Sequence, residues 1–472
     1  MAPLAPQPRS TTKESTVSTV QQRPPDLDDH ASGSIEQAPR PASAEAPSAP
    51  VVDALPPGPR LPRWLQTLLV WNRTNPFLER CQRRYGPVFT IRALPWGNAV
   101  HVNDAALIKQ IFTGDPSLLH AGDGNAILGP VLGQSSVLVL DEDEHLHARK
   151  RLLPPFHGDA VKRYGEVVER ITVQECARWP LGRPFELHPR MRALTFEVIL
   201  EAVIGVSDPD RQQALRRVLP ETVELDFVTL LVWLAPWLGR FGRWKRFRRS
   251  VEEANELLRE EIAARRRDPL LSERDDVLSQ LVASGDFDDE ELRDQIMTLL
   301  LAGHETTATA LAWAFGRLLR NPAVLERAQE GDDEYLDAVV RETLRVRPVI
   351  PAVLRQLQRP LELGRWRLPK GVTVMPAISL MHGDPSVFAE PDSFRPERYL
   401  EEGEGSTYTW IPFGGGRRRC LGAAFASFEM RVVLRTILAH TSLRADRSRE
   451  EGVRNRHITL VPARGARAVR TA

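Results

Sequence analysis

The chain has 472 residues, 42% of them hydrophobic and 26% charged, the composition of an ordinary folded protein. Its 63 lysines and arginines nearly cancel its 62 aspartates and glutamates, so no global field favours nucleic acid. Three cysteines, Cys81, Cys176 and Cys420, are too few for a disulfide framework, which points to a reducing compartment, the cytoplasm, and leaves room for one special thiol.

The first fifty residues hold nine prolines, many alanines and serines, and no aromatic residue. They cannot bury enough apolar surface to offset chain entropy, so a disordered tail is predicted over 1–50 and one folded domain over 51–472. The tail lacks the apolar run of a signal peptide or membrane anchor. Leu55-Pro-Pro-Gly-Pro59 then reads as stiff extended chain. Val88–Arg92 and Val100–Val102 read as strands, after which helical periodicity dominates.

In His145-Leu-His-Ala-Arg149 the first and last residues share a helix face, which is a solvated face unless an anion lies against it. The apolar run Phe227–Leu238, interrupted by Pro236, is far short of the ~20 residues that span a bilayer. Arg240, Arg243, Lys245, Arg246, Arg248 and Arg249 follow it. A core-facing helix with a solvated basic end is the preferred reading, and peripheral contact with a membrane surface is the alternative.

Asp288 and Asp289 offer an N-cap, Glu290 and Glu291 favour the first turn, and no breaker occurs until Asn321-Pro322. The predicted helix, Asp288–Arg320, is roughly 50 Å long at ~1.5 Å per residue. Its centre, Leu301-Ala-Gly-His-Glu-Thr-Thr307, places polar groups where a core is expected, and such violations mark function. Further on come Glu342-Thr-Leu-Arg345, strands near Leu361–Leu368 and Val372–Met375, then Phe394-Arg-Pro-Glu-Arg398 and a helix over Leu421–His440. The expected architecture is mainly α with minor β (α+β), a single domain around an internal pocket.

The sharpest chemical signal is Phe413-Gly-Gly-Gly-Arg-Arg-Arg-Cys-Leu-Gly422. Three glycines let the backbone approach a flat ligand, and Cys420 sits among arginines just ahead of a helix, where thiolate is favoured. One cysteine cannot build a zinc or iron–sulfur site, whereas a porphyrin brings four nitrogens of its own and needs one thiolate. A buried or reactive cysteine is the plain alternative; a phosphate loop lacks its Lys-Ser/Thr ending here. Glu305 beside Thr306 can relay protons to a bound oxygen, or can simply be a satisfied polar kink. Thr306 and Thr307 can bond back to carbonyls one turn earlier, opening a groove at Gly303. His304 reads as packed or solvated. Glu342 and Arg345, three apart, read on their own as a surface pair worth ~0.2–0.5 kcal/mol.

In this order the segments resemble the cytochrome P-450 superfamily of haem-thiolate monooxygenases over most of 55–465. The resemblance implies haem b with Cys420 as axial iron ligand, Phe413 near the sulfur, Gly416 at the turn, and Gly422 closing the loop. Arg418, His145, Arg149 and Arg355 would meet the haem propionates. Ala302 and Gly303 would border the oxygen, Glu305 and Thr306 would be the acid–alcohol pair, and Glu342, Arg345 and Arg398 would brace the proximal side. Leu152-Leu-Pro-Pro-Phe-His157 is similar to a bacterial branch that oxidises terpenes, fatty acids or alkanes.

The implied reaction inserts one atom of O2 into a lipophilic substrate, a terpenoid, fatty acid or other secondary metabolite. Ala302, Val349–Leu354, Leu119–Leu132 and Phe227–Leu238 would wall its pocket. No nucleotide-binding glycine fingerprint and no cluster-forming cysteines are present, so a separate ferredoxin or flavodoxin with an NAD(P)H-dependent reductase is implied. Arg417–Arg419 with Arg149–Arg151 form the expected docking face of a monomer. A haem-thiolate isomerase, dehydratase or peroxide-driven enzyme, and a non-catalytic haem sensor, are the rival readings.

Overall fold

The computed structural model describes residues 51–206, 208–223, 242–401, 405–456 and 458–472. The expectations for the tail and for Phe227–Leu238 with Arg240 fall outside these residues. Contacts gather residues 50–472 into one unit.

The axis of this unit is the helix Asp289–Leu318. Its start is set by a reciprocal cap: Asp288 Oδ1 accepts from the Glu291 N–H at 2.8 Å, and the Asp288 N–H donates to Glu291 Oε2 at 3.3 Å. The alanines, leucines and Phe315 of its second half are buried all round, so this half runs through the core rather than along its surface. Helices Leu187–Val198, Arg243–Arg266, Asp333–Val346 and Ala423–His440 pack on it. Where the apolar-to-basic transition after Leu238 enters the described residues, Lys245, Arg246, Arg248 and Arg249 are exposed on the first turns of Arg243–Arg266. Among the described residues no helix is long and apolar enough to cross a membrane.

The β structure is minor and peripheral. Strands β1 (Val88–Ala93), β2 (Gly97–Val102), β3 (Leu119–His120), β5 (Arg355–Leu357) and β8 (Thr373–Pro376) form one sheet in the order β1-β2-β8-β5-β3. Its only parallel pair is β2 with β8, Ala99 opposite Thr373. β4 (Pro184–Glu186), β9 (Leu443–Ala445) and β12 (Arg467–Arg470) make a second sheet. Two hairpins complete the set, β6 (Leu361–Leu363) with β7 (Trp366–Leu368), and β10 (Val453–Arg456) with β11 (Thr459–Pro462). The fold is thus mainly α with minor β, as the sequence predicts. Strands β3, β4, β5 and β9 to β12 went unread because two to four residues scarcely display a period of two.

Candidate active site

The loop before helix Ala423–His440 is shaped by a close approach. Gly414 and Gly416 have φ of 67° and 63°, which other residues rarely adopt. A Cβ on Gly415 would lie 2.2 Å from the Phe112 ring, and one on Gly416 1.9 Å from the Phe112 carbonyl oxygen. The chain therefore turns tightly against Phe112, and the Cys420 N–H closes the turn on the Phe413 carbonyl at 2.9 Å. Phe413 itself stacks edge-on against Trp410, centroids 6.1 Å apart.

The three thiols differ. Cys81 and Cys176 are core residues, pushed up by burial to about 11 and 12 and hence inert. Cys420 is exposed at its surface, yet burial is also the largest influence on it, so protein crowds closely around an open sulfur. The Gly422 N–H, Arg149 and Arg419 oppose that burial without overcoming it, so the thiol sits above its ordinary value. The arginines and the Gly422 N–H thus favour the thiolate as expected, but the sequence could not show that burial outweighs them. Desolvation wins in the unliganded protein; a coordinating metal would deprotonate the thiol outright.

On the central helix, Ala302 is exposed and Gly303 and Thr306 are half-exposed, between buried stretches on either side. Thr306 Oγ1 donates to the Ala302 carbonyl one turn earlier at 2.6 Å, while residues 301–310 remain α-helical throughout. His304 is packed: Nδ1 meets Thr195 Oγ1 at 3.0 Å, Phe196 lies edge-on, and burial holds the ring down to about 4.

Glu305 differs from expectation. Its carboxylate does not share the Thr306 face but turns, about 100° around the helix, toward cations on other elements. Arg192 Nε lies 2.7 Å from Oε2, and His188 Nε2 and Arg456 Nε each lie 3.5 Å from Oε1. These are charge pairs lacking hydrogen-bond alignment at the carboxylate oxygens. Burial alone would raise the Glu305 carboxyl, but His188, Arg192 and Arg456 outweigh it and hold it at about 2. The expected acid–hydroxyl dyad is therefore a half-exposed hydroxyl with a clamped carboxylate behind it. Arg192, His188 and Arg456 were missed because nothing local in their segments announces a role.

A third group collects cations. His145 and Arg149 come from one face of helix Glu142–Leu152, Arg355 from the start of β5, and Arg418 from the Cys420 loop. Burial and then its neighbours Arg418, Arg149 and Arg355 hold His145 down to about 3, so it is neutral. Burial likewise brings Arg355 and Arg418 down to about 10, each still charged at neutral pH. Arg149 is lowered by burial and supported by the Cys420 sulfur, so it faces the thiol as well. Asp141, paired with Arg418, is the one carboxylate that enters the balance of Arg355 and Arg418. Three guanidiniums against one carboxylate leave positive charge over, which suits an anionic ligand.

Glu342, Arg345 and Arg398 are 0–1% exposed, which overturns their bare-sequence reading as a surface pair. Arg345 Nε and a terminal nitrogen each donate to Glu342 at 2.8 Å, Arg398 Nε donates at 3.1 Å, and the Arg395 N–H at 2.9 Å. Arg345 further ties the carbonyls of His382, Pro391 and Ser393, bracing the segment that leads to the Cys420 loop. His382, unread in the sequence, is buried, and its Nε2 accepts from the Ile411 N–H at 3.0 Å.

Cys420, the one exposed thiol, on a loop that only glycines can shape and beside Arg149, Arg355 and Arg418, offers the single protein ligand and the anion partners that a haem-thiolate protein needs, so the residues present fit that group. The family model for cytochrome P450 matches residues 56–466, and the chain belongs to that family. It is 46% identical over 428 residues to cytochrome P450 135B1 of Mycobacterium tuberculosis, covering 88% of this chain and 90% of that one. Against cytochrome P450 138 of Mycobacterium bovis the identity is 39% over 443 residues, 90% and 98% of the two chains. The fold is similar to that of a retinoic acid-bound cyanobacterial CYP120A1, with a TM-score of 0.77, 24% identity, and coverage of 88% and 99%. As a family member the protein is a haem-thiolate monooxygenase, an oxidoreductase that uses haem iron, O2 and electrons from a redox partner.

Proposed function

We propose that this monooxygenase hydroxylates a lipophilic substrate, a terpenoid, fatty acid or related secondary metabolite, with Cys420 as the axial ligand of haem b. The observation that carries this is the exposed thiol of Cys420 on its glycine-shaped loop, set beside the cations Arg149, Arg355 and Arg418. Haem, when bound, supplies the oxygen-activating chemistry. The chain's own part is to exclude water, orient the C–H bond and hold protons. Thr306 Oγ1 holds a proton, and Glu305 stands one position away as a charged reserve that reaches that hydroxyl only by leaving Arg192. Arg355, Arg149, Arg418 and neutral His145 would hold the propionates.

The apolar character of the segments expected to wall the pocket supports the substrate class. Leu119 and Val349 are buried, and Leu354 closes on Gly124, where an added Cβ would lie 1.9 Å from its Cδ1. The segments 119–132 and 349–354 thus meet, as a pocket wall requires. Electrons would come from a ferredoxin or flavodoxin served by an NAD(P)H-dependent reductase. Of the expected docking residues, Lys150, Arg417 and Arg419 are exposed. Arg151 is committed elsewhere: it contacts the Asp286 carbonyl, pairs with Glu291 at 3.4 Å and lies 4.2 Å over the Phe287 ring.

The test is a spin-state titration of the purified haem protein with fatty acids and terpenes, followed by turnover with O2 and a ferredoxin–reductase pair. A lipophilic ligand should move the haem band and yield a product heavier by one oxygen. No band shift from any such ligand, or equal turnover on peroxide alone, contradicts the proposal.

A further inference from the structure

Asp141 departs from the ordinary use of its position. It is the N-cap residue of helix Glu142–Leu152, where an aspartate normally accepts from that helix's own first N–H groups; its side chain makes no such bond. The carboxylate turns the other way. Oδ1 accepts from the N–H groups of Ala121 and Gly122 at 2.9 and 3.0 Å, and Oδ2 from that of Asp123 at 3.0 Å. Oδ1 also pairs with Arg418, whose guanidinium bonds the carbonyls of Val137 and Leu140 as well. Only glycine at 122 permits this: a Cβ there would lie 2.6 Å from Asp141 Oδ2 and 2.2 Å from the Val139 carbonyl oxygen.

A histidine closes the network from outside. His120, at the end of β3, places Nδ1 2.9 Å from Asp123 Oδ2 and 3.6 Å from Asp141 Oδ2, and Nε2 2.9 Å from Glu142 Oε1. With both ring nitrogens on carboxylates, the favoured form carries both protons. Gln358, beyond β5, donates to Asp123 at 2.7 Å. The charged groups facing the ring are thus Asp123, Asp141 and Glu142, with Arg418 across Asp141.

We propose that Asp141 is a positioning residue for haem: through Arg418 it sets the charge and orientation of the cations that would hold the propionates. Through the backbone of 121–123 it ties that cluster to the segment that closes on Leu354. His120 trims the charge of this unit from the surface. The inference rests on the haem reading above and adds a residue, Asp141, and a pH-sensitive neighbour, His120, to it.

The charges make opposite predictions for two variants of the haem-loaded protein. Asp141→Asn removes a negative charge beside Arg418, favours the ferrous form and raises the reduction potential, on the order of tenfold in the ferrous-to-ferric ratio, or about 59 mV. His120→Gln removes a positive charge and lowers the potential at a pH where His120 is protonated. Burial works against protonating this ring, but Asp123, Asp141 and Glu142 prevail and raise its pKa. The wild-type potential should therefore fall as pH rises through that raised pKa, and His120→Gln should abolish the step.

Structural damage would move both variants the same way, so opposite signs are the signature. Shifts of one sign, or none in either, overturn the proposal. If Asp141→Asn does not fold with haem, the His120→Gln shift and the lost pH step decide alone. A wild-type protein that binds no haem would sink the haem reading instead, which keeps the two failures distinct.

Discussion

Replacing Glu342 by Gln keeps the shape of the side chain and removes one charge from an ion cluster whose members are almost wholly enclosed. Glu342 accepts four hydrogen bonds of 2.8–3.1 Å, three from the guanidiniums of Arg345 and Arg398, and all three residues are 0–1% exposed. The substitution takes the Glu342 charge away from the buried guanidiniums of Arg345 and Arg398, a loss of ~3–5 kcal/mol when one partner of a buried pair is removed. With an unfolding entropy of roughly 2.1 cal/mol/K per residue, a unit of this size carries about 0.9 kcal/mol/K, so Tm should fall by ~3–6 °C. A surface pair worth ~0.2–0.5 kcal/mol would move it by less than a degree. Thermal unfolding, followed by far-ultraviolet circular dichroism with haem saturating, distinguishes the two. A shift below one degree would refute the assignment of Glu342 as the anchor of the proximal side.

Other substitutions probe separate parts of the account. Thr306→Ala removes the hydroxyl that donates to the Ala302 carbonyl and, with it, the proton held there; peroxide released per O2 consumed should rise several-fold while haem binding stays intact, and unchanged coupling would contradict a proton role. Glu429, in helix Ala423–His440, is buried without a cation and raised by desolvation to about 8, and its Oε1 has no hydrogen-bond partner among the described residues. Because its folded pKa exceeds its unfolded value, the native state loses stability as pH climbs from about 4.5 to about 8. Glu429→Gln should therefore be more stable than wild type at pH 8 and gain nothing at pH 4, as denaturant midpoints at the two pH values will show. Arg417→Glu should slow reduction by an acidic carrier at low salt, with the deficit shrinking as salt is added, whereas Arg151→Glu should act mainly on stability; equal kinetic effects would remove the docking assignment.

What could be read from the sequence follows the range of the interactions involved. The central helix was legible because its cap, its dipole-favouring acids and its Asn-Pro stop all lie within the segment; its observed bounds, Asp289–Leu318, fall just inside the predicted ones. The Cys420 loop was legible because glycine is needed there for local reasons, although the obstacle, Phe112, lies some three hundred residues earlier. The direction of the Glu305 side chain was not legible. Neighbouring residues on a helix point to different faces, and the cations that capture this one come from Leu187–Val198 and β10. Burial, too, had to be seen: E-x-x-R spacing reads the same on a surface and in a core, and only the structure shows Arg345 and Arg398 enclosed. Likewise the net rise of the Cys420 thiol reflects desolvation, which no run of arginines in sequence can weigh. Asp141 was passed over because in sequence it is simply an N-cap.

The most direct measurement is the reduced carbon-monoxide difference spectrum of the purified wild type beside Cys420→Ser, with haem content determined for both. The wild type should show the red-shifted band of a thiolate-ligated ferrous haem, and the variant should lose that band together with turnover. A variant that kept the thiolate band and full activity, or a wild type that took up no haem, would contradict the central claim.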